Sequence, residues 1–182
     1  MPELNYPLLK SVKVNNSLIN FLNKKFDFYI QNIKEQGQVD KAYNNFSNGF
    51  QTPNLLLWQD KEFKNFLNNE ILNLLCKKFF FKKEQIKYKW VHMLEYESGG
   101  KMEAHRHMHN EDFVFFIYLN SCKSSGETVF YLNNFDENSL KRTKISVLPK
   151  KNLGLCFSSL LVHEGFESHE DKRIFVVGFR LS

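Results

Sequence analysis

Apolar positions along the chain follow two different periods, and the change between them falls near Gln85. In the first half, Leu18, Leu22, Phe26, Tyr29, Ile30 and Ile33 recur at three- and four-residue spacing, which places them on one face of a helix. Ser17 stands where it can cap that helix. The polar stretch from Lys34 to Asn54, with its Gly, Asn and Pro, reads as a loop. Asp60 then caps a second helix that carries Phe63, Phe66, Leu67, Ile71, Leu74 and Leu75 on one side. From Ile86 onward the helical period disappears. Short runs separated by turn signals take over: "IKYKWVHMLEY", "KMEAHRH", "FVFFIYLN", "ETVFYLN", "TKISVLP", "LGLCFSS", "LLVHEGF" and "KRIFVVGFRL". Strand-length runs of this kind predict a β-sandwich or barrel such as a jelly roll. "FVFFIYL" is apolar on both faces and predicts a central strand. The expected fold class is α+β: one domain over residues 1–182, mainly helical over 1–85, with a jelly-roll core over 86–182.

Composition supports a packed interior. The chain holds 19 Phe among 182 residues, and 42% of it is hydrophobic. The formal net charge is +5, but the basic residues come in short pairs such as Lys24–Lys25, Lys77–Lys78, Lys82–Lys83 and Lys141–Arg142. They form no basic arm and do not alternate with aromatics, which argues against nucleic acid as the main partner. Cys76, Cys122 and Cys156 are odd in number and far apart. That disfavours a disulfide scaffold or a zinc ribbon and fits a reducing, cytoplasmic setting. No segment is apolar for long enough to predict a membrane span or a signal peptide.

The candidate chemistry lies in the histidines. His105, His107 and His109 alternate in "AHRHMHNED", and alternate residues of a strand point to one side. Two imidazoles so placed can share a metal ion, with His163 at the end of "LLVH" as a third donor. Taken alone, "HRHMH" fits the wet face of an edge strand equally well.

The surrounding order of motifs decides between these readings. "YESGGKMEAHRH", "FIYLN", "SGETVFYLN", "SVLPKKNLGLCFSSLLVHEG" and "KRIFVVGFR" follow one another over residues 86–182. Together they resemble the 2-oxoglutarate/iron(II) dioxygenases, most of all the prolyl-4-hydroxylase-like and phage-type branches. Weaker echoes lie in "GFQTPN" and the helix after it. The resemblance implies a double-stranded β-helix with Fe(II) and 2-oxoglutarate as cofactors. It implies O2 as co-reactant and a peptide, amino-acid or small-molecule substrate oxidised at a C–H bond. Carried over residue by residue, it makes His105, His107 and His163 the metal ligands. Arg173, ten places after His163, becomes the partner of the distal carboxylate of 2-oxoglutarate, with Arg180 as runner-up. Tyr118 would bond the same carboxylate, and Thr128 would shape the cosubstrate pocket.

The sequence departs from the family pattern at one ligand. Where a carboxylate is usual, two places after His105, this chain has His107. Counting back from "YLN" selects His107 and His109 instead, so His107 is common to both registers. Glu103, Glu111 and Asp112 are near enough to supply a carboxylate or a supporting partner. A three-histidine site also fits a cupin-like metal-binding protein that does not turn over 2-oxoglutarate. Arg173 with Tyr118 distinguishes the two readings, because a metal store needs no carboxylate clamp. "NNFSNGFQTPN" and "NNFDENSLKR" are the candidate substrate-facing loops.

Overall fold

The computed structural model describes residues 5–6, 8–35, 46–107, 110–132 and 143–182. In chain order the elements are β1 (Asn5–Tyr6), β2 (Leu9–Lys13), α1 (Asn16–Glu35), β3 (Phe46–Gln51), α2 (Lys61–Phe66), a π turn (Leu67–Ile71) and α3 (Leu72–Phe79). Then follow β4 (Ile86–His105), β5 (Phe113–Tyr118), β6 (Thr128–Leu132), β7 (Thr143–Val147), β8 (Leu153–Ser158), β9 (Val162–Ser168) and β10 (Lys172–Leu181). The strands form one curled antiparallel sheet in the order β1-β2-β8-β5-β10-β4-β9-β6-β7, with β3 on the flank of β4. This is the jelly-roll arrangement expected from the strand pattern. β5 is central, between β8 and β10, as its two apolar faces require.

β4 joins the two halves of the roll. Its first part pairs with β10 along Ile86 to Tyr96, and its last part pairs with β9 from Gly100 to His105. The strand changes partner at Gly99, whose φ is +83°. Such a backbone is open to glycine and strained for other residues. The sequence pattern read this strand as two runs, "IKYKWVHMLEY" and "KMEAHRH", because the Ser98-Gly99-Gly100 bend resembles a turn.

Three other expectations need correction. The polar stretch before Asn54 is not all loop, since Phe46–Gln51 forms β3 against β4. The N-terminal part is not only helical, because β2 pairs with β8 and extends the sheet. Polar residues such as Ser47, Asn48 and Lys10 hid these strands from a pattern search. The first helix is capped by Asn15 rather than Ser17: Asn15 Oδ1 accepts from the Leu18 amide at 2.8 Å. Asp60 caps α2 as expected, accepting from the Phe63 amide at 2.9 Å.

The sheet separates two apolar cores. On its outer face, α1 buries Leu18, Leu22, Phe26 and Tyr29, and the α2–α3 segment buries Phe63, Ile71, Leu75 and Phe79. They pack on Met93, Phe115, Ile117, Phe175, Val177 and Phe179 of the strands. Each such side chain contributes roughly 1.5–3 kcal/mol relative to exposure. The inner face carries a smaller cluster that includes Tyr96, Phe116, Tyr118, Phe130, Phe157, Ile174 and Val176. Phe115 belongs to the outer core, 5.8 Å from Phe79 ring to ring, whereas Phe130 and Phe157 lie in the inner cluster.

Asp60 fastens the helices together. It accepts from Lys25 Nζ at 2.8 Å and from the Tyr29 hydroxyl at 3.0 Å, while also capping α2. Burial works against the Lys25 charge, but Asp60 and Glu62 raise its pKa overall. Asp60→Ala removes the cap and leaves a nearly buried ammonium with only the exposed Glu62 as its carboxylate partner. The expected loss of stability is about 3 kcal/mol, read as a lower urea midpoint with an unchanged slope. A midpoint shift worth under about 0.5 kcal/mol, the range of ordinary surface substitutions, would rule out this role.

Candidate metal centre

The two ends of β4 and β9 fix the site. In the β4–β9 ladder His105 lies directly opposite His163, and on the other side His163 faces Phe130 of β6. His107 lies just past the end of β4. Its backbone amide donates to the Ser159 carbonyl at 2.9 Å, which ties it to the turn preceding β9. The three imidazoles therefore converge. Ring centroids are 4.3 Å apart for His105–His163, and 5.2 Å apart for both His105–His107 and His107–His163. One ligand nitrogen from each lies within 4.8 Å of the others.

Ring orientation favours metal binding. The Nδ1 of His105 is 2.8 Å from the Glu103 carbonyl, and that of His163 is 3.0 Å from the Leu161 carbonyl. A carbonyl only accepts, so each Nδ1 carries the hydrogen and each Nε2 keeps a free lone pair. Burial holds the pKa of His163 well below the ordinary imidazole value, and the neighbouring His105 and His107 push it the same way. Burial also lowers His105. Neutral imidazoles are the ligating form. A first-row divalent ion with nitrogens at about 2.0–2.1 Å needs them roughly 3–3.5 Å apart. Small side-chain rotations from the present spacing reach that, so the donor set fits iron or a related ion.

The walls of the site are aromatic. Phe157 and Phe130 flank His163 at 4.7 and 5.9 Å, ring to ring. Trp90 lies beside His107 at 5.3 Å with 32° between the planes. Its indole crosses β10 where that strand has Gly178, and a methyl group there would overlap the ring. Trp90 and Gly178 were not among the residues picked out by sequence, since neither carries ligand chemistry.

The remaining candidates divide between the two faces of the sheet. Tyr118 and Thr128 are both buried on the inner side, and the Tyr118 hydroxyl donates to Thr128 Oγ1 at 2.6 Å. Burial raises the Tyr118 pKa and keeps its phenol protonated. Arg173 is not brought to this face. Its Nε donates to Glu95 Oε1 and its Nη1 to Asp27 Oδ1, both at 2.8 Å, and its guanidinium covers the Phe26 ring of α1. Its charge is thus already paired on the helical side. Arg180 is exposed. The inward neighbour is Lys172, because adjacent strand residues point to opposite faces. Lys172 is fully buried, donates to the Gly126 carbonyl at 3.0 Å and sits 3.9 Å above the Tyr96 ring. Among the described residues no carboxylate pairs with it. His109 and residues 133–142, the whole of the candidate loop "NNFDENSLKR", lie outside the described residues.

Comparison with known proteins gives the fold a context. No family model and no curated protein matches the sequence. Many solved structures match the fold. A Pseudomonas putida prolyl-4-hydroxylase superposes with a TM-score of 0.66 at 13% identity, covering 95% of this chain and 92% of that one. The viral collagen prolyl hydroxylase of Paramecium Bursaria Chlorella virus-1, solved with 2-oxoglutarate, gives 0.58 at 15% identity, over 96% and 97% of the two chains. HygX from Streptomyces hygroscopicus, solved with nickel, 2-oxoglutarate and hygromycin B, gives 0.65 at 11% identity, over 94% and 82%. The chain has the fold of these oxygenases, a double-stranded β-helix, and carries a three-histidine group within it. No helix among the described residues is long and apolar enough to cross a membrane.

Lys172 generates a test that is independent of any ligand. Burial lowers its pKa to about 8 from an ordinary 10.5. Between those values the unfolded chain binds the proton and the folded chain does not. Stability contributed through this residue therefore rises with pH across that window, and burying the charge is destabilising below it. Lys172→Met should be more stable than the parent at pH 7, with the difference shrinking by pH 10. Urea midpoints of the two proteins at both pH values measure this. A gap that does not narrow would contradict it.

Proposed function

We propose that the protein is an Fe(II)- and 2-oxoglutarate-dependent oxygenase that hydroxylates a C–H bond of a peptide or amino-acid side chain. The observation that carries this reading is the pairing of three converging imidazoles with a buried lysine on the same inner face of a prolyl-hydroxylase-like fold. His105, His107 and His163 would hold the iron. Lys172 would take the distal carboxylate of 2-oxoglutarate, the role that motif spacing had given to Arg173. A desolvated ammonium held by a carbonyl and an aromatic face, with Glu127 near but not in ion-pair contact, gains a direct charge partner when a dicarboxylate arrives.

The other inward residues have supporting tasks. Tyr118 holds Thr128 Oγ1 as acceptor, which turns the threonine hydrogen outward to donate to the same carboxylate. Phe130 and Phe157 keep water from the His163 side, and Trp90 does so from the His107 side. When bound, iron with 2-oxoglutarate and O2 supplies the oxidising power, through decarboxylation of the cosubstrate to succinate. The chain itself supplies position, charge and exclusion of solvent. The choice of a peptide or amino-acid substrate is supported by the likeness to prolyl hydroxylases. The scattered cysteines support action in the cytoplasm. A cupin-like metal store is the second reading, and the three-histidine set favours it; Lys172 gives it nothing to do.

Isothermal titration of 2-oxoglutarate into Co(II)-loaded protein tests the assignment. His163→Ala should abolish Co(II) binding. Lys172→Met should keep the metal and weaken 2-oxoglutarate by roughly 10–100-fold, the value of one charged hydrogen bond. Arg173→Ala should lower stability and leave that affinity within about twofold, well below the loss of one charged hydrogen bond. If Arg173→Ala weakened the cosubstrate and Lys172→Met did not, the anchor assignment would be wrong. Absence of any 2-oxoglutarate binding to metal-loaded wild type would favour the metal store.

A further inference from the structure

We infer that Glu111 is a positioning residue of the histidine centre, its carboxyl group receiving the Nδ1 hydrogen of His107 when His107 binds metal through Nε2. The inference rests on the three-histidine reading above and adds to it the residue that orients the third imidazole.

Glu111 is a buried acid that no hydrogen bond holds among the described residues. The Glu111 side chain is 1% exposed, and neither carboxyl oxygen has a hydrogen-bond partner among the described residues. A buried carboxyl group left unbonded is destabilising by one to several kcal/mol in either protonation state. The Nδ1 of His107 lies 3.7 Å from Oε1. That is just beyond hydrogen-bond length, and a small rotation of either side chain closes it.

The local backbone aims Glu111 inward. Asn110 turns the chain with φ +71°. The next residue but one, Asp112, is clamped on three sides. Its amide donates to the Phe179 carbonyl at 3.0 Å, its carbonyl accepts from the Ser159 amide at 2.9 Å, and its side chain accepts from the Leu181 amide at 2.8 Å. With Asp112 fixed toward β10 and solvent, Glu111 is directed to the interior. Ser159 also holds the His107 amide through its carbonyl, so one turn residue sets both His107 and Asp112.

The arrangement completes a pattern. His105 and His163 each have Nδ1 held by a backbone carbonyl two residues before them. His107 has left the strand, and the acceptor on its Nδ1 side is a carboxyl group. A metal ion on Nε2 makes the Nδ1 hydrogen a stronger donor, and a carboxylate acceptor makes the imidazole a stronger ligand. The negative charge missing from the ligand set is thereby returned one bond away from the ion.

Co(II) titration of apo wild type, Glu111→Gln and Glu111→Leu tests this, with thermal melts of the apo proteins and visible spectra of the Co(II) forms. Glu111→Leu should weaken Co(II) by roughly 10–100-fold. Glu111→Gln, which keeps an acceptor of the same shape, should recover part of that loss. Both apo variants should melt at or above the wild-type temperature, since an unbonded buried carboxyl group is gone, and the band pattern of the Co(II) form should be retained. Unchanged affinity in Glu111→Leu overturns the inference. So does affinity loss that tracks a lowered apo melting temperature, and so does a changed ligand count in Glu111→Gln, which would make Glu111 a ligand itself. If wild type bound no Co(II), the three-histidine reading would fail and this inference with it. If His163→Ala abolished binding while Glu111→Leu did not alter it, only the inference would fall.

Discussion

The β4–β9 ladder is the constraint on which the site depends. Setting His105 opposite His163 fixes two of the three imidazoles through backbone hydrogen bonds rather than through side-chain packing. Side chains one register step away would face the helices instead of the interior. The ladder in turn needs the bend at Gly99 and Gly100, because without it β4 would continue along β10 and never reach β9. Gly100 has no room for a side chain, since its Cβ would press on the carbonyls of Asn48 and Glu97.

The two faces of the sheet divide the labour. The outer face is closely packed with phenylalanine, and its ion pairs, Lys25–Asp60 and Arg173–Glu95, tie helix to helix and β10 to β4. The inner face holds the residues that are destabilising by themselves: among the described residues, Lys172 has no carboxylate in direct ion-pair contact and Glu111 has no hydrogen bond. Both would be relieved by groups that the fold can admit. Stability supplied by the outer core is what allows the inner face to carry them.

Much of this was legible in the sequence. Strand-length runs after Gln85 and the two amphipathic helices gave the α+β jelly roll, and alternate histidines gave the convergence at His105 and His107. What stayed hidden has physical causes. β10 is apolar on both faces from Ile174 to Phe179, so the pattern carries no mark of which parity points inward. Counting ten places from His163 landed on Arg173, one residue from the inward Lys172. β2 and β3 were missed because their partners are strands more than forty residues away, and pairing at that range leaves no local period. Glu111 was visible only as an acid near histidines; its burial, not its identity, gives it meaning.

The strand order also bears on how the molecule assembles. β10 follows every other strand in the chain, yet it lies in the middle of the sheet, between β5 and β4. β2, near the start, pairs with β8 some 145 positions later. Before β10 emerges, β5 has β8 on one edge only, and β4 lacks its partner along Ile86–Tyr96. Until β10 arrives, β5 presents an open edge rich in phenylalanine, and contacts of such sequence separation form slowly. The central edge of the sheet therefore stays open to mispairing until β10 inserts between β5 and β4.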